Sequence, residues 1–316
     1  MGFGGASVGL EPEAQDDEAA AALVDTAWSL GIRYFDTAPF YGFGLAERRL
    51  GATLKGRPRD DFVVSTKVGR RLHDGALGWP DDRSPEAWPF DYDYTRDGIL
   101  RSFEGSLERI GLDRVDVLYV HDIDAKVHGS RAAALAHTES LMRDGGWRAL
   151  DDLRASGAVK AIGVGVNEWE PCARMLELAD PDLFLIAGRY TLLEQEPLNA
   201  LFPSCLKRGV GVVIGGPLNA GVLAGGPLYD YAPAPAIVKA RASAIAEVCA
   251  RHGVSVLAAA LQFAGAHPVV TSLLTGASNP AELTQNAQAF LGPAPPAELW
   301  AELRAEKLLH ADAPTP

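Results

Sequence analysis

The stretches Tyr34-Phe35-Asp36-Thr37-Ala38-Pro39-Phe40-Tyr41-Gly42, Val64-Ser65-Thr66-Lys67 and Val117-Leu118-Tyr119-Val120-His121-Asp122 follow one pattern. Each is an apolar or β-branched run, suited to a buried strand, that stops abruptly in titratable side chains. Asp36, Tyr41, Lys67 and His121 thereby fall at or just past the C-terminal ends of three candidate strands. In a parallel α/β barrel that is the face on which active sites are built.

Working outward, candidate strands recur at about 3–8, 32–36, 62–66, 115–120, 159–164, 183–187, 211–215 and 269–273. Most are followed by apolar residues at helical spacing. Asp16-Asp17-Glu18 places acidic groups at the start of a helix over 17–30, which stops at Gly31 and carries Ala21, Val24 and Leu30 on one side. Arg96 to Ile110 lines up Ile99, Leu100, Phe103, Leu107 and Ile110 and ends at Gly111. Helices are also predicted over Glu139–Ser156 and Ala236–His252, the latter closed by Gly253. Eight βα units in series predict a (β/α)8 TIM barrel, one α/β domain over residues 1–316. An open doubly wound sheet would carry a GxGxxG turn after its first strand. Gly2-Phe3-Gly4-Gly5 leads into no such turn, and Gly163-Val164-Gly165 lacks the third glycine.

Two connections exceed ordinary loop length. Residues 68–95 hold Trp79, Trp88, Phe90, Tyr92 and Tyr94; residues 216–235 are rich in Gly and Pro and hold Tyr229 and Tyr231. On the catalytic face such loops serve as lids or substrate walls, and aromatic ones suit the apolar face of a sugar or a flat ring. The alternative is that these aromatics only pack the loops down.

The composition is that of an ordinary globular enzyme: 316 residues, 47% hydrophobic and 22% charged. A net charge of −12 argues against nucleic acid or an anionic membrane as partner. The basic cluster Lys67, Arg70, Arg71 is the main exception, and its plain reading is a solvated loop. No run approaches the roughly 20 apolar residues of a membrane span, and no signal peptide is apparent. Cys172, Cys205 and Cys249 are odd in number and far apart, with no metal or disulfide spacing, so a cytoplasmic location is expected. No His-x-His strand end supports a metal-dependent barrel hydrolase.

Asp, Tyr, Lys and His together form a proton-transfer set centred on a phenol. A tyrosine's ordinary pKa is near 10, and an adjacent ammonium lowers it by favouring the phenolate. An aspartate paired with that lysine keeps the ammonium charged and in place, and a neutral histidine can orient a carbonyl oxygen beside the phenol. Moving a proton on or off a carbonyl or alcohol oxygen normally accompanies hydride transfer, which requires a nicotinamide or flavin. Each residue alone has a structural reading: Asp36 as a turn cap, Tyr41 as a loop anchor, Lys67 as surface, His121 as a core histidine. Their joint occurrence at strand ends favours the functional one.

Over essentially its whole length the chain resembles an aldo-keto reductase. The resemblance rests on Gly31-Ile32-Arg33-Tyr34-Phe35-Asp36-Thr37-Ala38 with Tyr41, Ser65-Thr66-Lys67, His121, and Gly276-Ala277-Ser278-Asn279-Pro280 with Asn286. It implies a barrel that binds NAD(P) without a Rossmann motif, with Tyr41 as general acid/base, Asp36 and Lys67 as its tuning pair, and His121 as substrate orienter. Asp93-Tyr94-Thr95-Arg96-Asp97-Gly98, Ala187-Gly188-Arg189-Tyr190-Thr191-Leu192-Leu193 and Gly215-Gly216-Pro217-Leu218-Asn219-Ala220-Gly221 resemble the branch of D-threo-aldose (L-fucose) 1-dehydrogenases, L-galactose dehydrogenase and pyridoxal 4-dehydrogenase. That branch implies oxidation of a cyclic hemiacetal to a lactone. General aldehyde or ketone reduction, and a non-catalytic cofactor-sensing subunit, are the alternatives.

The same resemblance places Asn167 against the nicotinamide carboxamide. The family's neighbouring glutamine falls at Ala187 and its stacking aromatic near Gly215, so Gly216, Pro217, Leu218 or a lid aromatic is expected to take over. Gly276 and Glu282 stand where NADP-preferring members carry Lys and Arg, which implies a preference for NAD; Ser278, Asn279 and Asn286 are the implied pyrophosphate, ribose and adenine contacts. The start at Met1-Gly2-Phe3-Gly4 is shorter than in relatives that plug the barrel bottom with a hairpin, so a shortened start is expected. Partners are expected to be a small carbonyl or sugar substrate, and the assembly a monomer or weak homodimer.

Overall fold

The computed structural model describes residues 1–10 and 15–316. Eight parallel strands close into a barrel: β1 (Gly2–Gly4), β2 (Tyr34–Asp36), β3 (Val63–Val68), β4 (Val117–His121), β5 (Ala161–Val166), β6 (Leu183–Ala187), β7 (Gly211–Gly215) and β8 (Val270–Thr275). Each strand pairs with its neighbour in sequence, and β8 with β1. Side chains alternate across the sheet. Phe35, Val64, Leu118 and Val120 face the helices, while Val117, Tyr119, Leu185, Val213 and Leu274 fill the barrel interior. The outer layer is locked by one fully buried carboxylate: Glu47 accepts hydrogen bonds from Thr66 Oγ1 at 2.6 Å and Arg109 Nε at 2.7 Å.

Three local expectations are corrected. The first strand is Gly2–Gly4 rather than 3–8. Gly5 N still reaches Asp36 O at 2.7 Å, but Val8 N and Gly9 N then bond back to Gly5 O and Ala6 O, and Ser7–Gly9 form a 3-10 turn. The helix Asp17–Ser29 buries Ala20, Leu23, Val24 and Ala27, a stripe turned by about one residue from the predicted side. The predicted helix 139–156 is two helices, Arg131–Arg143 and Gly146–Ala155. They break at Gly145, whose φ of 79° is left-handed, and Gly146 presses so closely on Tyr94 O that a Cβ would lie 2.0 Å from it. Arg96–Ile110 forms as predicted, with Gly111 as its left-handed cap.

The two long connections carry small antiparallel ribbons above the barrel. In 68–95, Arg70–Leu72 pairs with Phe90–Tyr92; in 216–235, Leu228–Tyr229 pairs with Ala232–Pro233. Among the described residues no single helix is long and apolar enough to cross a membrane, and no cluster of His, Cys, Asp and Glu is arranged to hold a metal ion. The three cysteines are free and buried.

Candidate active site

Strand pairing brings Asp36, Lys67 and His121 together, and the turn after β2, in which Tyr41 N bonds to Ala38 O, adds Tyr41. Asp36 ends β2 opposite Ser65 of β3, and Lys67 lies opposite Tyr119 of β4, two residues before His121. Asp36 and Lys67 point into the barrel mouth. Lys67 Nζ donates to Asp36 Oδ2 at 2.7 Å and to Thr37 O at 2.9 Å, and lies 4.7 Å from the centroid of the Tyr41 ring. The Tyr41 and His121 rings stand edge to face with centroids 6.0 Å apart. Gly165, paired with His121 across β5, leaves room for this lysine: a Cβ there would lie 3.6 Å from Lys67 Cε.

Burial tries to neutralise Lys67, but the charge of Asp36 and the proximity of Tyr41 outweigh it and raise its pKa, so the ammonium is kept. Tyr41 departs from the expectation of a lowered pKa. Burial pushes it up, Lys67 pulls it down, Asp36 pushes it up again, and the net direction is upward. The ammonium therefore offsets part of a burial penalty rather than making a free phenolate. His121 is held well below its ordinary value by burial and by the cations Arg70 and Lys67, so it is neutral, as a substrate orienter must be.

A second buried pair adjoins the first, and the sequence reading did not find it. Arg70 and Asp122 form an ion pair at 2.6 Å, and Asp122 Oδ2 lies 3.2 Å from His121 Nε2. Burial raises the Asp122 carboxyl to about 6 despite Arg70. The guanidinium sits 4.1 Å from the Phe40 ring centroid, a cation–π contact next to Tyr41. Arg71 is the more exposed of the two arginines and meets Asp91 at 3.3 Å. The basic cluster is thus not a solvated loop: Lys67 and Arg70 are both buried in ion pairs.

The aromatics of the first long connection pack it down onto the barrel mouth. Trp88 and Phe90 pack edge-on against Phe40, with centroids 5.7 and 5.3 Å away. Trp79 packs on Phe43 and donates to Gly9 O at 3.2 Å. Tyr94 donates to the carbonyls of His121 and Asp122 at 2.8 and 3.1 Å, fixing the end of β4. The second lid is tied down by Asp230, which meets Arg189 at 2.7 Å and Lys126 at 3.2 Å, and by Tyr229, which donates to Glu194.

The residues assigned to a cofactor divide into two groups. Asn167 follows β5, and its amide donates to Asp122 Oδ1 at 2.9 Å while its backbone N–H donates to Asp124 at 2.7 Å. Ala187 and Gly215, the two departures from the family, are paired neighbours on β6 and β7. A Cβ on Gly215 would meet Leu185 Cδ2 at 3.4 Å and Ala187 Cα at 3.7 Å, and Gly216, Pro217 and Leu218 follow directly after β7. At the end of β8, Gly276, Ser278 and Asn279 are exposed and Asn286 is buried, its amide near Gly276 O at 3.4 Å. Asn279 caps the helix Pro280–Leu291 by accepting from Glu282 N at 3.0 Å, and Glu282 accepts from Ser278 N at 2.8 Å. This reciprocal cap places a carboxylate on the amides that would otherwise attract a phosphate. Thr275 Oγ1 and Asn219 Oδ1 are buried at the same edge without a hydrogen-bond partner. Thr275 ends β8 and Asn219 follows its neighbour β7, so these two unpaired oxygens at adjoining strand ends fit hydrogen-bonding groups of an extended dinucleotide.

The model of the aldo/keto reductase family matches residues 1–304. The chain belongs to the aldo/keto reductase family. It is an oxidoreductase of a family that uses nicotinamide cofactors. Among aldo/keto reductases it is 40% identical to the D-threo-aldose 1-dehydrogenase of a Pseudomonas species, over 100% of this chain and 95% of that protein. It is also 40% identical to the pyridoxal 4-dehydrogenase of Microbacterium luteolum, over 98% and 94%. The L-galactose dehydrogenase of Arabidopsis thaliana is 30% identical over 92% and 83%. Among solved aldo/keto reductases, AKR11C1 from Bacillus halodurans in its holo form superposes with a TM-score of 0.76 at 26% identity, over 99% and 93% of the two chains.

Proposed function

We propose that this aldo/keto reductase oxidises the C1 hydroxyl of a cyclic hemiacetal, of the L-fucose or D-threo-aldose type, to a lactone with NAD as electron acceptor. The observation that carries the reading is the convergence of Asp36, Lys67, Tyr41 and neutral His121 at one barrel mouth. A bound nicotinamide supplies the hydride acceptor. Tyr41 acts as the phenolate, whose charge Lys67 stabilises, and takes the hydroxyl proton to become the phenol; Asp36 holds Lys67, and His121 orients the substrate oxygen. The C1–H electron pair leaves as hydride, the C1–O bond becomes the lactone carbonyl, and the proton ends on Tyr41. The wall of Phe40, Trp88 and Phe90 beside the Arg70–Asp122 pair offers an apolar face together with paired donors and acceptors, as a polyhydroxylated ring requires.

Asn167 would hold the carboxamide, Gly216, Pro217 and Leu218 the nicotinamide side, and Gly276, Ser278, Asn279 and Asn286 the rest of the dinucleotide. Glu282 supports the preference for NAD, because its carboxylate lies on the helix N-terminus where a 2′-phosphate would need a cation. An NADP preference in kcat/KM above about tenfold, roughly 1.4 kcal/mol, would refute that part.

The same chemistry serves a second substrate. Pyridoxal closes to an internal hemiacetal, and the relative named for it is as similar as the aldose enzyme. The deciding experiment follows NADH formation with L-fucose, L-galactose, D-arabinose and pyridoxal, with Tyr41→Phe alongside. Turnover on one of these that is lost in the variant establishes direction, substrate and acid/base together. Turnover that survives in Tyr41→Phe rejects the assigned base.

A further inference from the structure

Beneath the Tyr41–Lys67–Asp36 group the barrel interior holds a row of hydroxyls that none of these roles uses. Ser65 Oγ lies 2.6 Å from Asp36 Oδ1 and 3.0 Å from Tyr34 Oη, and Tyr34 Oη lies 3.1 Å from Tyr119 Oη. The surroundings are apolar: Val117, Leu185, Val213 and Leu274 share this layer with Tyr34 and Tyr119. Three hydroxyls in such a layer are costly unless bonded to one another or to a charge.

Proton counting leaves one arrangement. The Asp36 carboxylate only accepts, so Ser65 donates its single proton to Oδ1. Ser65 must then accept from Tyr34, and Tyr34, its own proton used, must accept from Tyr119. All three hydroxyls point toward Asp36, as a chain in which each bond polarises the next. Tyr34 and Tyr119 are themselves pushed well above the ordinary tyrosine value, first by burial, so both stay protonated donors. Asp36 is thus shared: Oδ2 serves Lys67 and Oδ1 takes the hydroxyl chain.

We propose that Ser65, backed by Tyr34 and Tyr119, is a positioning residue that draws charge toward Asp36 Oδ1 and so keeps Lys67 available to Tyr41. This rests on the reading of Tyr41 as the acid/base. With the chain intact, Oδ2 grips Lys67 less tightly and the ammonium can stabilise a phenolate. With the chain cut, the whole carboxylate charge falls on Lys67, and Tyr41 becomes harder to ionise.

The test labels tyrosine Cζ with carbon-13 and titrates the resonances, with Tyr41 assigned from Tyr41→Phe; it needs no turnover. Ser65→Ala is expected to raise the Tyr41 midpoint, leaving about three- to tenfold less phenolate at a given pH, and to move the Tyr34 resonance. Tyr34→Phe should shift Tyr41 in the same direction by less, and Tyr119→Phe by least. Ser65→Thr, which keeps the hydroxyl, should return the midpoint, and the pH limb of kcat/KM should move with it. A Tyr41 midpoint unchanged in Ser65→Ala while Tyr34 moves overturns the proposal. If Ser65→Ala does not fold, an unchanged midpoint in the near-isosteric Tyr34→Phe overturns it equally. Retained turnover in Tyr41→Phe would reject the acid/base role instead, a different result from either.

Discussion

Arg70 Nη2 lies 2.6 Å from Asp122 Oδ2, with the two side chains only 7% and 8% exposed. The pair joins the first lid to the catalytic end of β4, next to His121, at a residue held in left-handed backbone with φ 52°. Asp122 also accepts from Asn167, so one carboxylate touches His121, proposed to orient the substrate, Arg70 of the first long connection, and the residue proposed for the nicotinamide.

Removing one partner leaves a buried charge uncompensated, which costs about 3–5 kcal/mol. Arg70→Ala should therefore melt well below the wild type. The double variant Arg70→Met, Asp122→Asn should recover most of that loss while turnover stays depressed. A double-mutant cycle of thermal melts and kcat/KM measures both. Arg70→Ala melting with the wild type would show that the pair is not the tie described.

The Lys67–Asp36 pair should separate stability from chemistry in the same way. Lys67→Met strands Asp36 in the barrel and should lower both the melting point and kcat/KM, the latter by about 10²–10⁴ if proton transfer depends on it. Adding Asp36→Asn should restore stability but not rate. A double variant as active as the wild type would remove Lys67 from the mechanism.

The parts of this protein that a linear reading reaches are those a strand's alternation makes local. Asp36, Lys67 and His121 each end an apolar run, so their convergence follows once the runs are set side by side in a barrel. Arg70 and Asp122 are legible only as the start of a long connection and the residue after a strand. What joins them is the fold of the first lid back over β4, held by Tyr94, and no periodicity encodes that. Gly145-Gly146 sat inside an apolar helical pattern, and the break is set by Tyr94 O, a tertiary contact. Glu282 was read through its charge alone, whereas the Asn279–Glu282 spacing also writes a helix cap.

That double use of Glu282 makes a prediction. Glu282→Gln keeps an oxygen able to accept from Ser278 N but removes the charge opposing a 2′-phosphate. Use of NADP relative to NAD should rise by about tenfold, or roughly 1.4 kcal/mol, with little change in melting temperature. Glu282→Ala also loses the acceptor for Ser278 N, while the Asn279 cap on its backbone N–H remains, and should cost about 0.5–1.5 kcal/mol of stability. A cofactor ratio unmoved by either variant would show that this carboxylate does not read the adenosine end.

His128 gives a pH dependence. Its Nε2 donates to Asp122 O at 2.8 Å, and burial, then His137 beside it, hold its pKa down to about 4. A histidine lowered on folding contributes stability that is complete above the ordinary value of about 6.5 and is lost as pH falls toward 4. His121 acts in the same direction. Asp122, raised to about 6, acts oppositely: its penalty is present above 6 and relaxes on acidification. His128→Asn should flatten the fall of melting temperature between pH 6.5 and 4. An unchanged slope would show that His128 does not titrate with folding.

Two glycines of β5 separate what the barrel wall tolerates from what it does not. At Gly163 a Cβ would stand 1.8 Å from Leu183 O, a backbone atom of the paired strand β6. No side-chain rotation relieves that, so Gly163→Ala must push β5 and β6 apart and should leave little folded protein. At Gly165, two residues on and also paired with β6, a Cβ would meet Tyr119 Cβ at 3.5 Å and Lys67 Cε at 3.6 Å, ordinary contact distances. Gly165→Ala should fold with near wild-type stability while confining the Lys67 side chain against Asp36. Comparing soluble yield, melting point and kcat/KM of the two variants tests the interior directly. If Gly165→Ala unfolds as badly as Gly163→Ala, the space beside Lys67 is smaller than the structure shows.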